Sequence, residues 1–322
     1  MRFPGFLIVM PVNIEYVNEI LMAKGIRILP RSLELYNQQG RTSKIFKVDS
    51  NKGSLAIKIS EHSERRWRYE KAEKEFHMSQ LLAQHLTIPT LDFYAYGSDA
   101  EGNVFTVRKF AEGKNLREGE YHVAHLRHLA QIVARLHQID IEGAGDVYFR
   151  SGKPCTTHKN WHSFLLHSSC TSLDQISRAS RISREEYDEY MHKIRIFFKE
   201  YHPHMIREGK LLHGDLIEEN IVIEDDQINA IIDFEYSCVG DPAWDFAGPA
   251  DCFQHTLLKH YLKEIGRLGL ETNKEDFMLR IRILAAVKAL VIADSYSSRT
   301  RENDKPFRLW WSKFCQLISE MI

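Results

Sequence analysis

The sequence predicts an α+β protein of two lobes, with an N-terminal antiparallel sheet and a mainly helical C-terminal part. Short runs of mixed apolar and polar residues within 33–60 and 92–110 are separated by turn signals, which is typical of strands. From about residue 120, apolar residues recur at helical spacing, as in Val123–Ile139. We therefore expect an N-terminal lobe of residues 1–110 and a C-terminal lobe of residues 111–322.

Individual elements follow from local patterns. Ser43–Val48 and Leu55–Ile59 flank the turn Asn51-Lys52-Gly53 and predict a hairpin. A charged amphipathic stretch over 64–86 predicts a helix that ends before Pro89. The other expectations are strands at 92–96 and 104–110, a loop at 140–160, and helices at 183–206 and across 254–320.

Composition limits the function classes. A chain of 322 residues with 43% hydrophobic and 27% charged residues is typical of a globular protein. The formal net charge of -1 offers no basic surplus for a nucleic-acid backbone, so no nucleic-acid partner is predicted. No apolar run reaches the roughly 18 residues of a membrane span, and the run at 6–10 is too short for a signal peptide. The five cysteines are scattered, which favours reduced thiols and a cytoplasmic location, and nothing indicates an oligomeric state.

The most informative stretch lies between Leu211 and Cys252. It reads L-L-H-G-D-L-I-E-E-N-I-V-I, then N-A-I-I-D-F-E, then V-G-D-P-A-W-D-F-A. Apolar runs around Asp225-Asp226-Gln227 predict a hairpin that begins after Asn220 and ends before Asp233. Asp215 precedes Asn220 by five residues. Oxygen ligands of this kind suit a hard cation such as Mg²⁺.

This spacing fits phosphoryl transfer, in which catalysis comes mainly from positioning and charge neutralisation. One carboxylate faces the acceptor hydroxyl, while a second carboxylate and an amide oxygen hold metal on the phosphates. Protein kinases place an Asp, four residues, an Asn and a later metal-binding Asp in the same order.

The three strings strongly resemble the aminoglycoside phosphotransferase and choline kinase group of small-molecule kinases, from about residue 33 onward. The resemblance implies a protein-kinase-like fold, ATP as the phosphate donor and a hydroxyl of a small molecule as the acceptor. It implies Asp215 as catalytic base and Asn220 and Asp233 as Mg²⁺ ligands. Asp241 and Asp245 would brace the catalytic region.

A nucleotide-binding cation is expected in the N-terminal lobe. Lys58, in L-A-I-K-I on the second predicted strand, is the candidate phosphate lysine, although such a lysine can also be a solvated strand residue. The following helix offers an anion to fix it, and the family pattern matches Glu75 best and Glu73 second.

The sequence gives only weak signals for the remaining nucleotide contacts. Gly40 and Ser43 are candidates for backbone and hydroxyl contacts to phosphate. We expect the adenine to meet backbone groups of Lys109, Phe110 and Ala111.

Acidic residues near the catalytic loop predict an acceptor that is cationic rather than anionic. Glu218, Glu235 and Asp251 are the candidate acceptor contacts. An aminoglycoside-like antibiotic is one possibility, and a metabolic acceptor of choline, sugar or homoserine type is the alternative.

Two other kinase-like functions compete with this one. A protein kinase is disfavoured, because the segment between Asp233 and Pro242 is short and Gly214 replaces the usual arginine. A non-catalytic nucleotide-binding pseudokinase is disfavoured because every expected catalytic side chain is present. Trp310 and Trp311 suggest a pocket for a quaternary ammonium, but an anchor for the last helix is the favoured interpretation.

Overall fold

The computed structural model describes residues 14–36, 43–60, 65–86, 92–117, 121–206, 208–248, 252–270, 273–298 and 304–322. Eight α-helices lie within these ranges: α1 Ile14–Met22, α2 Arg65–His85, α3 Val123–Leu136, α4 Trp161–Arg178, α5 Arg184–Tyr201, α6 Cys252–Arg267, α7 Lys274–Ser297 and α8 Lys305–Met321. None of the helices in the described ranges is long and apolar enough to cross a membrane.

The strands form three antiparallel sheets. Their bounds are β1 Glu34–Leu35, β2 Ser43–Ser50, β3 Gly53–Ser60, β4 Phe93–Ser98, β5 Val104–Lys109, β6 Lys114–Asn115, β7 Ala144–Arg150, β8 Lys153–His158, β9 Lys210–Leu212, β10 Ile221–Glu224, β11 Gln227–Ile231 and β12 Cys238–Gly240. The strand orders are β1-β2-β3-β5-β4, β11-β10-β6 and β8-β7-β12-β9.

The chain forms two compact units. The N-terminal unit comprises Met1–Glu120 and Glu219–Glu235, and the C-terminal unit comprises Tyr121–Glu218 and Tyr236–Ile322. The five-stranded sheet and the β10–β11 hairpin therefore belong to the same unit. The expected lobe boundary after residue 110 stays a prediction.

The five-stranded sheet of the N-terminal unit buries one face in an apolar core that also contains residues of α1. Side chains alternate along each strand, so Ile57 and Ile59 enter this core and are fully buried. Lys58, between them, must point to the opposite face of the sheet. Helix α2 packs on β4 and β5 of this sheet.

The C-terminal unit combines helices with the four-stranded sheet. The predicted loop at 140–160 is wrong: β7 and β8 form a hairpin there, and β7 continues the sheet by pairing with β12. Its turn places Ser151 and Gly152 at φ of 50° and 74°, the left-handed conformation that tight hairpin turns require.

Helices α7 and α8 pack extensively in this unit. The Trp311 ring stacks on Phe307 with a centroid distance of 6.3 Å, and it also contacts Tyr190 of α5 at 5.1 Å. Trp311 therefore anchors the last helix, which was the favoured interpretation of this residue.

Candidate active site

Three acidic side chains of the N-terminal unit converge around Lys58. The Nζ atom of Lys58 lies 2.9 Å from Asp233 Oδ1, 3.3 Å from Glu235 Oε2 and 3.5 Å from Glu75 Oε2. Lys58 comes from β3, Glu75 from α2, and the other two acids directly follow β11. Of the glutamates considered on α2, it is Glu75 that approaches the lysine, whereas Glu73 accepts a hydrogen bond from Tyr96.

The backbone of Asp233 adopts an unusual conformation. Its φ is 68°, in the left-handed region that non-glycine residues rarely occupy and that aspartate tolerates better than most. The β10–β11 hairpin fixes it: Ile221 pairs with Ile231, and Ile232 N–H donates to Asn220 O at 2.9 Å. The predicted hairpin is confirmed, and it places Asn220 and Asp233 at the same end.

Burial and charge act in opposite directions on this cluster. Burial lowers the pKa of Lys58, but Asp233, Glu75 and Glu235 outweigh it, so the pKa lies well above its usual value. Burial raises the pKa of Glu75 to about 7, although Lys58 opposes the rise. Lys58 is therefore charged at neutral pH, while Glu75 is near its titration midpoint.

A second lysine, which the sequence analysis did not identify, completes the cluster. Lys71 Nζ lies 3.0 Å from Glu235 Oε1, and the exposed fractions of the two side chains are 12% and 15%. The same ammonium lies 3.9 Å from the centre of the Trp67 ring. Lys71 precedes Glu75 by four residues, so the α-helical repeat places both on one face of α2. The spacing alone does not distinguish Lys71 from the other charged residues of α2.

The acids of the cluster could also hold a metal ion. Oxygen atoms of Glu75, Asp233 and Glu235 all lie within 4.8 Å of one another. An all-oxygen donor set suits Mg²⁺ rather than a softer metal. Asp233 is the most accessible of the three, with 34% of its side chain exposed. The donor chemistry at this end of the hairpin therefore fits the expected cation.

The other predicted nucleotide contacts lie on the same unit. Ser43, at the start of β2, is buried, and its hydroxyl lies 2.7 Å from that of Ser60. The backbone N–H groups of Lys109 and Phe110 donate to Asp92 O and Ser54 O. Ala111 packs against the β10–β11 hairpin. Gly40 lies outside the described residues, and all these phosphate and adenine roles stay predictions.

The H-G-D segment lies in the C-terminal unit, directly after β9. Gly214 has a φ of 85°, and a Cβ there would lie 2.0 Å from the carbonyl oxygen of Tyr236, so only glycine fits. Asp215 N–H donates to His213 Nδ1 at 3.2 Å, and Ile217 N–H donates to Asp215 O at 3.0 Å. The loop thus holds the Asp215 backbone on both sides.

The Asp245 side chain binds the backbone of this loop. Its carboxylate accepts the N–H groups of His213 at 2.9 Å and Gly214 at 2.8 Å. It also lies 3.1 Å from His137 Nε2, which must donate because a carboxylate only accepts. Burial raises the pKa of Asp245, but His137, His213 and Lys288 together outweigh burial, so the pKa is lowered.

This arrangement extends one residue further into the core. The other ring nitrogen of His137, Nδ1, lies within hydrogen-bond distance of the Tyr261 hydroxyl, at 3.0 Å. Asp241 is also buried, accepts from Ala243 N–H at 3.0 Å, and lies 2.9 Å from Arg280 Nε. Both aspartates therefore contact protein groups, as expected of bracing residues.

The predicted acceptor contacts are Glu218, Glu235 and Asp251. Glu218, half-buried, begins a turn of 3₁₀ helix that ends at Asn220. Both carboxylate oxygens of Glu235 contact lysines, as described above. Asp251 lies outside the described residues. Their contact with an acceptor stays a prediction.

Comparisons with known proteins identify the family. A sequence profile described as the phosphotransferase enzyme family matches residues 36–278. A curated homoserine kinase from Sinorhizobium medicae (strain WSM419) is 28% identical over 173 residues. The match covers 53% of this chain and 48% of the relative, so it spans about half the length of that protein.

Solved structures share the fold at low sequence identity. A thermostable mutant of aminoglycoside phosphotransferase APH(4)-Ia, in a ternary complex with AMP-PNP and hygromycin B, superposes with a TM-score of 0.69. It is 14% identical, over 94% of this chain and 98% of that one. Macrolide 2'-phosphotransferase MphH from Brachybacterium faecium gives a TM-score of 0.60 at 15% identity, over 91% and 97% of the two chains.

These findings confirm the predicted α+β fold class and the predicted family resemblance. They also confirm the predicted enzyme class at the level of the family, that of the phosphotransferases.

Proposed function

The chain belongs to the phosphotransferase enzyme family, and from this premise we propose that it is an ATP- and Mg²⁺-dependent kinase that phosphorylates a hydroxyl of a small molecule. The observation that carries the proposal is the convergence of Lys58, Glu75 and Asp233 in the N-terminal unit. Phosphoryl transfer requires a fixed cation for the phosphates and a carboxylate for the metal, and these residues supply both.

In the proposed reaction, the acceptor oxygen forms a bond to the γ-phosphorus as the bond to the β–γ bridging oxygen breaks, and ADP leaves. The Asp215 carboxylate receives the proton of the acceptor hydroxyl. Lys58 pairs with phosphate oxygens, and Glu75 keeps its ammonium in place. Asp233 and Asn220 would hold Mg²⁺, which neutralises phosphate charge when bound.

The ion pair between Lys58 and Asp233 must break before these side chains can bind nucleotide and metal. Lys58 contacts Asp233 directly at 2.9 Å, so the two side chains neutralise each other. Binding of nucleotide phosphates to Lys58 and of a cation to Asp233 would replace this ion pair by two new ones. We therefore expect nucleotide and Mg²⁺ to bind cooperatively, since either one alone breaks the ion pair between Lys58 and Asp233 and supplies only one of the two new partners.

For the acceptor, we propose an amine-bearing alcohol of metabolic type, such as homoserine, before an aminoglycoside. The observation that favours it is the 28% identity to a homoserine kinase, whereas the aminoglycoside and macrolide enzymes share only the fold, at 14% and 15% identity. Glu218 and Asp251 would attract the amine. Glu235 is held by Lys58 and Lys71, so its contribution requires release from them.

A panel of acceptors tests this proposal. ADP release would be measured with ATP and Mg²⁺ for L-homoserine, choline, a hexose and kanamycin, with Asp215→Ala as the inactive control. We expect kcat/KM to be highest for an amine-bearing alcohol, and its KM to rise with salt and in Glu218→Gln. A best acceptor that carries no amine, with a salt-independent KM, would refute the acceptor class but not the kinase activity.

A further inference from the structure

A basic cavity lies on the C-terminal unit, between helices α3 and α6. Its volume is about 570 Å³, and four cationic side chains line it: Arg127 from α3 and Lys259, Lys263 and Arg267 from α6. None of the predicted catalytic, nucleotide or metal residues is among the lining residues. The cavity is therefore a separate feature from the candidate active site.

The cations of this cavity are spaced regularly. Lys259, Lys263 and Arg267 follow one another at intervals of four residues, which places them on one face of α6 about 6 Å apart along the axis. Arg127 faces them from α3. A ligand with several negative groups can thus meet successive cations along about 12 Å of helix.

Most of this charge has no ion-pair partner among the residues that the structure describes. Glu264 is the carboxylate that lines the cavity, and its Oε2 lies 3.3 Å from Arg267 Nη1. Within the ranges that the structure describes, no carboxylate lies within ion-pair distance of Arg127, Lys259 or Lys263. Since the formal net charge of the whole chain is -1, these cations are a local concentration and not a general basic surface.

The nearby cations also affect the pKa of a histidine that lines the cavity. Burial, and then the charges of Arg127, Lys259 and Lys263, lower the pKa of His260. His260 is therefore neutral at pH 7 and can donate or accept a hydrogen bond without adding to the charge.

We propose that this cavity binds a compact polyanion, a small molecule that carries at least two phosphate groups. Its volume lies in the range of about 300–1,000 Å³ that is typical of small-molecule sites. Arginine offers paired donors to phosphate oxygens and lysine offers point charges, so this set suits phosphate better than a single carboxylate. A bound polyanion would relieve the mutual repulsion of Arg127, Lys259 and Lys263.

Calorimetric titration with inorganic tripolyphosphate tests the proposal on the full chain. The test variant is Lys259→Gln with Lys263→Gln. The matched control is Lys274→Gln with Lys305→Gln, which removes the same charge from exposed lysines of α7 and α8. We expect the test variant to bind about tenfold more weakly or worse, with a smaller salt dependence, and the control to bind like the wild type.

Two outcomes of this titration would overturn the proposal. The first is no binding to the wild type. The second is equal affinity in the test and control variants; if both bind more weakly than the wild type, screening by net charge alone explains the loss. Tighter binding of a 20-base-pair DNA duplex than of tripolyphosphate, lost in the test variant, would also refute it, because the occupant would then be an extended strand. ADP-release activity is expected to stay unchanged in both variants, so a failure here leaves the proposed kinase function intact.

Discussion

Replacing Lys71 by methionine would test whether this lysine supports the phosphate-binding cluster. The change removes the ammonium that lies 3.0 Å from Glu235 Oε1 and 3.9 Å from the Trp67 ring, while it keeps a long apolar side chain. Glu235 then retains Lys58, at 3.3 Å, as its described ion-pair partner. The half-buried carboxylate of Glu235 would therefore depend on Lys58, which it shares with Asp233 and Glu75.

The expected loss of stability follows from this geometry. Removing one partner of a buried ion pair costs about 3–5 kcal/mol. Because Lys58 still contacts the other oxygen of Glu235, we expect a smaller decrease, about 1–3 kcal/mol, in the free energy of unfolding. Lys58 is also held more tightly by Glu235, so the KM for ATP should rise several-fold. Lys71→Arg keeps the charge and should restore most of both quantities.

The assay is urea denaturation followed by far-UV circular dichroism, together with initial rates at varied ATP. Arg66→Met is the matched control, since Arg66 also lies on α2 but is 94% exposed and pairs with the exposed Glu70. Such a surface pair contributes about 0.2–1 kcal/mol. Equal losses in Lys71→Met and Arg66→Met, or a Lys71→Arg variant as impaired as Lys71→Met, would refute the reasoning.

Three further predictions concern the two units. Asp233→Ala should abolish the Mg²⁺ dependence of ATP binding in calorimetry, and a dependence equal to that of the wild type would make Asp233 only a turn residue. The pKa of Glu75, about 7 against an ordinary 4.5, means that this carboxyl destabilises the folded state progressively as pH rises from 4.5 to 7, by up to about 3 kcal/mol. Glu75→Gln should therefore flatten the pH dependence of unfolding in that window, and an unchanged slope would contradict the assignment. Asp245→Asn replaces one carboxylate oxygen by an amide N–H₂, which cannot accept the N–H of His213 or Gly214 that it faces, and should cost about 3–5 kcal/mol in urea denaturation, whereas a loss below 1 kcal/mol would show that the charge is dispensable.

Local sequence patterns were sufficient to predict the strand and the hairpin on which the charged cluster around Lys58 lies. The β10–β11 hairpin is written in two apolar runs around a turn, and its ends place Asn220 and Asp233 together. Strand alternation likewise requires that Lys58 leave the core that Ile57 and Ile59 enter. In both cases the decisive interactions join residues that are close together in the sequence.

The features that the sequence analysis missed depend on long-range contacts. The β7–β8 hairpin is hard to predict because β8 is polar and half-exposed, while the pairing of β7 with β12 joins Asp146 to Cys238, 92 residues later in the chain, and leaves no local signal. Lys71 is one of many charged residues on α2, and only the tertiary position of Glu235 distinguishes it. The α3–α6 cavity, likewise, exists only because two distant helices pack together.

Transfer of labelled phosphate from γ-labelled ATP to the best acceptor, compared between the wild type and Asp215→Ala, tests the central claim most directly. We expect a labelled acceptor with the wild type, and a kcat about 10²- to 10⁴-fold lower in Asp215→Ala with the KM for ATP within about threefold. A variant that keeps the wild-type kcat would contradict the role of Asp215. A wild type that binds ATP and Mg²⁺ but labels no acceptor would contradict the proposed kinase activity and favour a nucleotide-binding scaffold.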